Sequence, residues 1–458
     1  MRSMLAVIGM LLAVVKNGAA AEPPNIVVFL ADDFDQLDCS VYSDRKVHTP
    51  NMQRLAVDGM TFTHAFVASP SCAPSRAALL TGLMPARNGV EPNHASPRPE
   101  TLKLPRLFRE SGYEVASFGK VAHYGHAHKY DIETAQFEKF HDHRGIDAAV
   151  DFLTVRDRSK PVCLFVGTHW PHRPWPDDAG GYDPAAVDVP PMHADTKETR
   201  TWRARYYHAV TKADNNLGRI YDAARTHLGD NTIFVFTSDH GAQWPFGKWN
   251  LYDAGIRVPL IVRWPGVIKA DSKSDAMVSW IDILPTLLDA AGASFPTTGS
   301  EEGQIDGRSF LKILRGETTE HRDRIFTTHS GDGKMNVYPI RSVRSNRWKY
   351  IWNLHPEFQH TTHVDRAQAE DEVGYFRSWE RAAATGDETA AGLVRRYRER
   401  PEEELYDLDA DPFEQHNLAG DAQYSKIRND LRTELERWMQ SQHDQKTVFN
   451  EPILLQHD

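Results

Sequence analysis

The chain has 458 residues, with 53 lysines and arginines against 63 aspartates and glutamates, a formal net charge of −10. That acidic balance argues against a general nucleic-acid role, because phosphate backbones recruit basic surfaces. A hydrophobic share of 40% supports a large buried core, and the length exceeds that of one ordinary domain.

Residues 1–21 read as an export signal. Arg2 is the basic start, Leu5 to Val15 a short apolar stretch, and Gly18-Ala19-Ala20-Ala21 a small-residue cleavage site before Glu22. The stretch is too short to span a bilayer and no later segment is longer, so the expectation is an exported chain (periplasmic, secreted or lysosomal) with no membrane span.

Asn25 to Leu30 is a continuous apolar run, the pattern of a parallel strand buried on both faces, and it ends at Asp32-Asp33. Pro50 to Val57 reads as a helix with Thr49 as cap and Gly59 as stop. In Cys72-Ala73-Pro74-Ser75-Arg76-Ala77-Ala78-Leu79-Leu80-Thr81-Gly82, Ser75 is expected to cap a helix over Arg76 to Leu80. Cys72 would then lie near a helix N-terminus, where anions bind well, with Arg76 holding positive charge near the sulfur. Leu104 to Glu110 reads as a helix and Tyr113 to Phe118 as a strand ending at Gly119-Lys120. Val162 to Val166 is a strand ending at Thr168-His169, and Tyr206 to His227 a long helix. Thr232 to Thr237 is a strand ending at Asp239-His240, and Val258 to Val262 is a fifth strand.

Strands alternating with helices predict an α/β fold with a mostly parallel central sheet flanked by helices. The polar clusters all fall just past the C-terminal ends of strands, where open α/β sheets place their sites. After about residue 330 the pattern changes. Tyr338 to Asn353 alternates like an antiparallel hairpin, and His355 to Arg400 is polar without assignable elements. Glu404 to Leu408 reads as a strand and Ala422 to Met439 as an amphipathic helix. The expected division is therefore 22–330 for a catalytic unit and 331–458 for a smaller α+β unit with an antiparallel sheet. Of the three cysteines, Cys39 and Cys163 are expected to be buried free thiols.

Asp32-Asp33 with Asp239-His240 offers three carboxylates and an imidazole, a donor set for a hard cation such as Ca²⁺ or Mg²⁺. Lys120 and Lys248 supply further charge that, with Arg76, can surround one small anion. His123 and His169 are candidates for proton transfer near neutral pH, and His172, Arg173 and Trp175 for lining a pocket.

The spacing C-x-P-S-R followed by L-T-G resembles the signature of type I sulfatases, and the similarity extends from Asn25 to the last helix. Asn25 to Gly82, Gly119 to His123 and Ser238-Asp239-His240-Gly241 resemble the iduronate-2-sulfatase branch. Phe246 to Tyr252, His169-x-Pro171-His172-Arg173, Tyr338 to Val343 and Glu404 to Asp407 resemble the N-sulfoglucosamine sulfohydrolase (heparan sulfamidase) branch. The resemblance implies an alkaline-phosphatase-like fold, a bound Ca²⁺, and conversion of Cys72 to formylglycine by a formylglycine-generating or anaerobic maturation enzyme. By it, Asp32, Asp33, Cys72, Asp239 and His240 bind metal. Arg76, Lys120, His123, His169 and Lys248 bind or process sulfate, with His123 as base at residue 72 and His169 as proton donor to the leaving group. The implied substrate is a sulfated saccharide. Three departures from the sulfamidase pattern, two residues rather than one between Lys120 and His123, Lys248 for Arg and His240 for Asn, leave N-sulfate against O-sulfate open. The competing readings are a phosphodiester or phosphonate hydrolase of the same fold, and a catalytically silent glycan-binding protein.

Overall fold

The computed structural model describes residues 22–137, 144–294, 305–367 and 370–456. The expected export signal, at 1–21, lies outside the described residues. Among those described, no helix is long and apolar enough to cross a membrane.

The central sheet has eight strands: β1 (Asn25–Ala31), β2 (Met60–Phe62), β3 (Glu114–Gly119), β4 (Thr134–Gln136), β5 (Val162–Gly167), β6 (Thr232–Ser238), β7 (Leu260–Arg263) and β8 (Ser272–Ser274). Their order is β4-β3-β5-β1-β6-β7-β2-β8. The five strands from β4 to β6 are mutually parallel, β7 runs antiparallel to both β6 and β2, and β8 is parallel to β2. The middle strands are almost wholly apolar and buried, as a sheet covered on both faces requires.

Two sets of helices cover it. One set is α1 (Pro50–Asp58), α4 (Arg144–Val155) and α5 (Lys197–Leu228), with α5 packed on both of the others. The other set is α2 (Cys72–Thr81), α3 (Leu104–Glu110) and a helix at Ile283–Ala290. Helix α5 starts nine residues before the apolar pattern suggested. The Thr196 side chain accepts from Thr199 N at 3.1 Å, and that cap carries the helix through a polar first turn.

A second sheet is antiparallel: β9 (Ile325–His329), β10 (Ile340–Arg344), β11 (Trp348–Asn353) and β12 (Glu403–Asp407), in that order. The expected hairpin is β10 and β11, and α8 (Ser425–Ser441), the expected amphipathic helix, packs Leu431, Leu435 and Met439 against its apolar face. The α/β architecture with a smaller antiparallel unit stands as expected. Within the polar stretch from His355 to Arg400, α6 (Glu370–Ala384) and α7 (Glu388–Arg398) bury Tyr375, Phe376, Trp379 and Tyr397; in chain order both precede α8. Cys39 and Cys163 are buried free thiols.

Two capping expectations need correction. The helix after Cys72 begins at Cys72 itself, with Ser71 at the cap position and no side-chain cap bond. Ser75 lies inside the helix and donates instead to the Asp239 carbonyl at 2.6 Å, a tie to the sheet that outcompetes capping. Thr49 holds the cap position of α1 but turns its hydroxyl to Ser40, 2.6 Å away.

Candidate active site

Four neighbouring parallel strands, β3, β5, β1 and β6, end side by side and deliver the expected clusters to one rim. Lys120 and His123 follow β3, His169 to Arg173 follow β5, Asp32-Asp33 follow β1, and Asp239-His240 follow β6. The first two arms approach unusually closely. A Cβ on Gly119, whose φ is 71°, would lie 2.0 Å from the Gly167 carbonyl oxygen; one on Gly167 would lie 2.0 Å from that of Lys120. Only glycine fits at both strand ends.

Cys72 opens α2 and points into this rim. Its Sγ lies 3.5 Å from Lys120 Nζ and 3.3 Å from His240 Nε2. Arg76, one turn along, is completely buried. Its Nε donates to Asp239 Oδ2 at 2.9 Å, one Nη to Asp32 Oδ1 at 3.0 Å, and the other Nη to the Lys120 and Val121 carbonyls. Lys120 Nζ sits on both oxygens of Asp32, at 2.8 and 2.6 Å, and Lys248 Nζ on both oxygens of Asp33, at 2.9 and 2.8 Å. All six of these charged groups are at most 3% exposed. Three buried cations thus pair with three buried carboxylates, the condition under which buried charge is tolerable.

The mutual fields show in the ionisation of the set. Burial alone would raise the Asp32 carboxyl, but Lys120 and Arg76 outweigh it and hold it well below the usual carboxylate range. Burial opposes charge on His240, yet Asp239 and Asp33 carry its pKa up to about 9. Burial, then Lys120 and His94, push the His123 imidazole down to about 2, so that ring is neutral.

Donor atoms of Asp33, Cys72, Asp239 and His240 all lie within 4.8 Å of one another, and Asp32, Asp33 and His172 form a second such group. Asp33 has φ 65° and its N–H donates to Asp239 Oδ1 at 3.0 Å, so backbone strain is spent on aiming this carboxylate. Carboxylates with one imidazole fit a hard divalent cation better than a thiophilic one.

A cavity of about 370 Å³ opens over this centre, and Cys72, Lys120, His123, Lys248, His172 and Arg173 line it. Arg173 is held among aromatic rings, with its guanidinium carbon 5.1 Å from the centroids of both Trp175 and Trp202. His169 is set back from the described lining, edge-on to Phe137 at 5.7 Å, and its carbonyl accepts from His172 N at 2.9 Å. The structure therefore gathers the ten expected residues around one rim, with His172 Nε2 3.8 Å from Asp33 Oδ2.

Sequence reasoning missed one side of the cavity, where Asn93, His94, Asp332 and His363 stand beside Trp249 of the Phe246 to Tyr252 motif. Asp332 is 3% exposed and accepts from Trp249 Nε1 at 2.7 Å and from Asn93 Nδ2 at 3.0 Å. Asn93 Oδ1 in turn accepts from Ala73 N at 2.9 Å, satisfying a donor at the start of α2. The only signal in the chain was the Gly331-Asp332-Gly333 turn shortly after a strand, too common a pattern to mark a site.

A family model described as Sulfatase matches residues 24–293, and one described as N-sulphoglucosamine sulphohydrolase, C-terminal, matches residues 240–374. The chain is 34% identical over 442 residues to an ulvan-active sulfatase of Formosa agariphila, covering 94% of this chain and 82% of that one. It is 28% identical over 482 residues to human N-sulphoglucosamine sulphohydrolase, covering 93% and 91%. Among solved structures, the phosphonate monoester hydrolase of Agrobacterium radiobacter superposes with a TM-score of 0.70 at 20% identity, covering 95% of this chain and 100% of that one, a likeness of fold.

Proposed function

We propose, from the premise that this chain belongs to the sulfatase family and is a sulfuric ester hydrolase, that it removes sulfate from a sulfated saccharide using residue 72, matured from cysteine to formylglycine, beside a bound calcium ion. The observation that carries this reading is the position of Cys72 Sγ, between Lys120 Nζ at 3.5 Å and His240 Nε2 at 3.3 Å, within a buried set of paired charges. When present, the aldehyde hydrate supplies the nucleophile and calcium supplies positive charge for the sulfate oxygens.

Asp33, Asp239 and His240 would hold the ion, with residue 72 and Asp32 completing the set. A dication added to three cations and three carboxylates leaves an excess of positive charge suited to a sulfate group. Lys120 and Lys248 can each turn from a carboxylate to a sulfate oxygen, since a divalent ion competes for those carboxylates. Arg76 is too enclosed to follow them and instead holds Asp32 and Asp239 in place. His123 is the base at residue 72. His169 is the proton donor to the leaving group, with His172 on the cavity wall as the alternative.

The relatives' names bear on the substrate: one is ulvan-active and one an N-sulphoglucosamine sulphohydrolase. A sulfated saccharide, as O-ester or N-sulfate, is the class they share. The reading includes export after cleavage before Glu22, a maturation enzyme as partner, and a catalytic unit over 22–330 with a smaller one over 331–458. The move to a second sheet near Ile325 supports a division in that region.

Two measurements test the proposal. Intact-mass spectrometry of active protein should find the aldehyde or its hydrate at residue 72; an unmodified thiol in fully active protein refutes the mechanism. Sulfate release should be seen from a panel of defined ulvan and glycosaminoglycan oligosaccharides, and preference for phosphate over sulfate esters would refute the activity.

A further inference from the structure

His123 does not stand alone. Its Nε2 lies 2.7 Å from His94 Nδ1, and His94 Nε2 lies 3.0 Å from Asp332 Oδ1. The other oxygen of Asp332 is occupied by the Trp249 and Asn93 donors, with His363 Nε2 at 3.6 Å. Every contact to this carboxylate is a donor, so Asp332 acts as an ionised acceptor, and His94 Nε2 must carry a hydrogen. With its hydrogen on Nε2 alone, His94 offers a lone pair at Nδ1, and His123 Nε2 is then the donor to it. That leaves the lone pair of His123 on Nδ1, which is shielded from solvent and has no hydrogen-bond partner among the described residues.

We infer that Asp332 and His94 form a positioning relay that fixes the tautomer of His123, leaving Nδ1 as the proton-accepting atom for residue 72, which lines the same cavity. Three features support it. His94 has φ 69°, a left-handed conformation uncommon for a non-glycine residue. Tyr124 stacks on His94 with the planes 15° apart and packs on His123 at 4.2 Å, which clamps both rings. Asn93 joins Asp332 to the first turn of α2, so the anchor of the relay and the nucleophile position move together. The balance of the step is simple. The proton of the hydroxyl at residue 72 passes to His123 Nδ1, the electron pair of that O–H becomes the second bond of the carbonyl, and the bond to the sulfate oxygen breaks, releasing sulfate. The His123 Nε2 hydrogen can shift to His94, placing the new positive charge next to Asp332.

The role toward residue 72 rests on the sulfatase reading; the tautomer does not, and the test separates them. Nitrogen-15 imidazole spectra of the mature protein are expected to show a pyridine-type Nδ1 and a pyrrole-type Nε2 for His123. The reverse pattern, or averaging between the two, overturns the relay whether or not any sulfated sugar is turned over. In kinetics, His94→Ala and His94→Gln should lower kcat about 100-fold with KM nearly unchanged, and Asp332→Asn about tenfold. In a His123→Ala background, His94→Ala should add less than about a twofold loss, because it acts through the missing ring. An effect confined to KM, or losses that multiply, would show that His94 contacts the sugar and would refute the relay. Since His94 is half-exposed, its variants carry the test even if Asp332→Asn fails to fold.

Discussion

Arg76 Nε donates to Asp239 Oδ2 at 2.9 Å, with both side chains wholly shielded from solvent. The same guanidinium holds Asp32, so one residue of α2 ties together the ends of β1 and β6, which would otherwise repel each other through their carboxylates. Replacing it with Leu strands buried negative charge, and the expected loss is about 3–5 kcal/mol in chemical denaturation of the metal-free protein. Arg76→Lys should recover only part, because the planar fork is gone. A loss under about 1 kcal/mol would show that the carboxylates do not depend on it.

Cys72→Ala should abolish sulfate release while sparing saccharide binding, since Lys120, Lys248, Arg173 and the rest of the cavity wall remain. Calorimetry with a substrate oligosaccharide checks the second half. Residual turnover near the wild-type rate contradicts a covalent role for residue 72.

Asp239→Ala should lose metal and activity together. Elemental analysis of the purified variant is expected to find calcium well below one ion per chain. Full calcium content would remove Asp239 from the ligand set. Chelator treatment of the parent enzyme should give the same loss, restored by added Ca²⁺.

His329 predicts acid sensitivity. It is 1% exposed, hydrogen-bonded to Asn336 at 2.7 Å, and burial pushes its imidazole down to about 4 against the Asn336 bond. Between pH 6.5 and about 4 the unfolded ring is protonated and the folded ring is not, so the unfolded state binds more protons and stability falls as pH falls. The stabilisation is complete above pH 6.5, and the buried His193 and His360, also held well below their ordinary range by burial, act in the same direction. Thermal melts should drop steeply between pH 6.5 and 4.5, and His329→Gln should flatten that slope. An unchanged slope would assign the acid loss to other groups.

What the amino-acid order revealed, and what it hid, follows from how local each feature is. The strand from Asn25, the helix after Cys72 and the paired acidic clusters are contiguous, so their patterns survive in one dimension. Ser75 was misread because capping is judged from neighbours, whereas its true partner, the Asp239 carbonyl, lies 164 positions away. His94 and Asp332 were invisible for the same reason: 238 positions separate them, and nothing in either segment announces the other. In the stretch from His355 to Arg400, scattered aromatic residues such as Trp379 and Tyr397 bury one side of two polar helices, too sparse a stripe to register as periodicity.

Gly119 and Gly167 sit where β3 and β5 hand over to the Lys120 and His169 arms, each backbone pressed on the other. The gap between two reactive loops is thus set by atoms that are missing. A single methyl group at either position would wedge the loops apart without altering any residue that meets substrate. Substitutions there should behave as distance mutations, widening the site while leaving its chemical inventory intact.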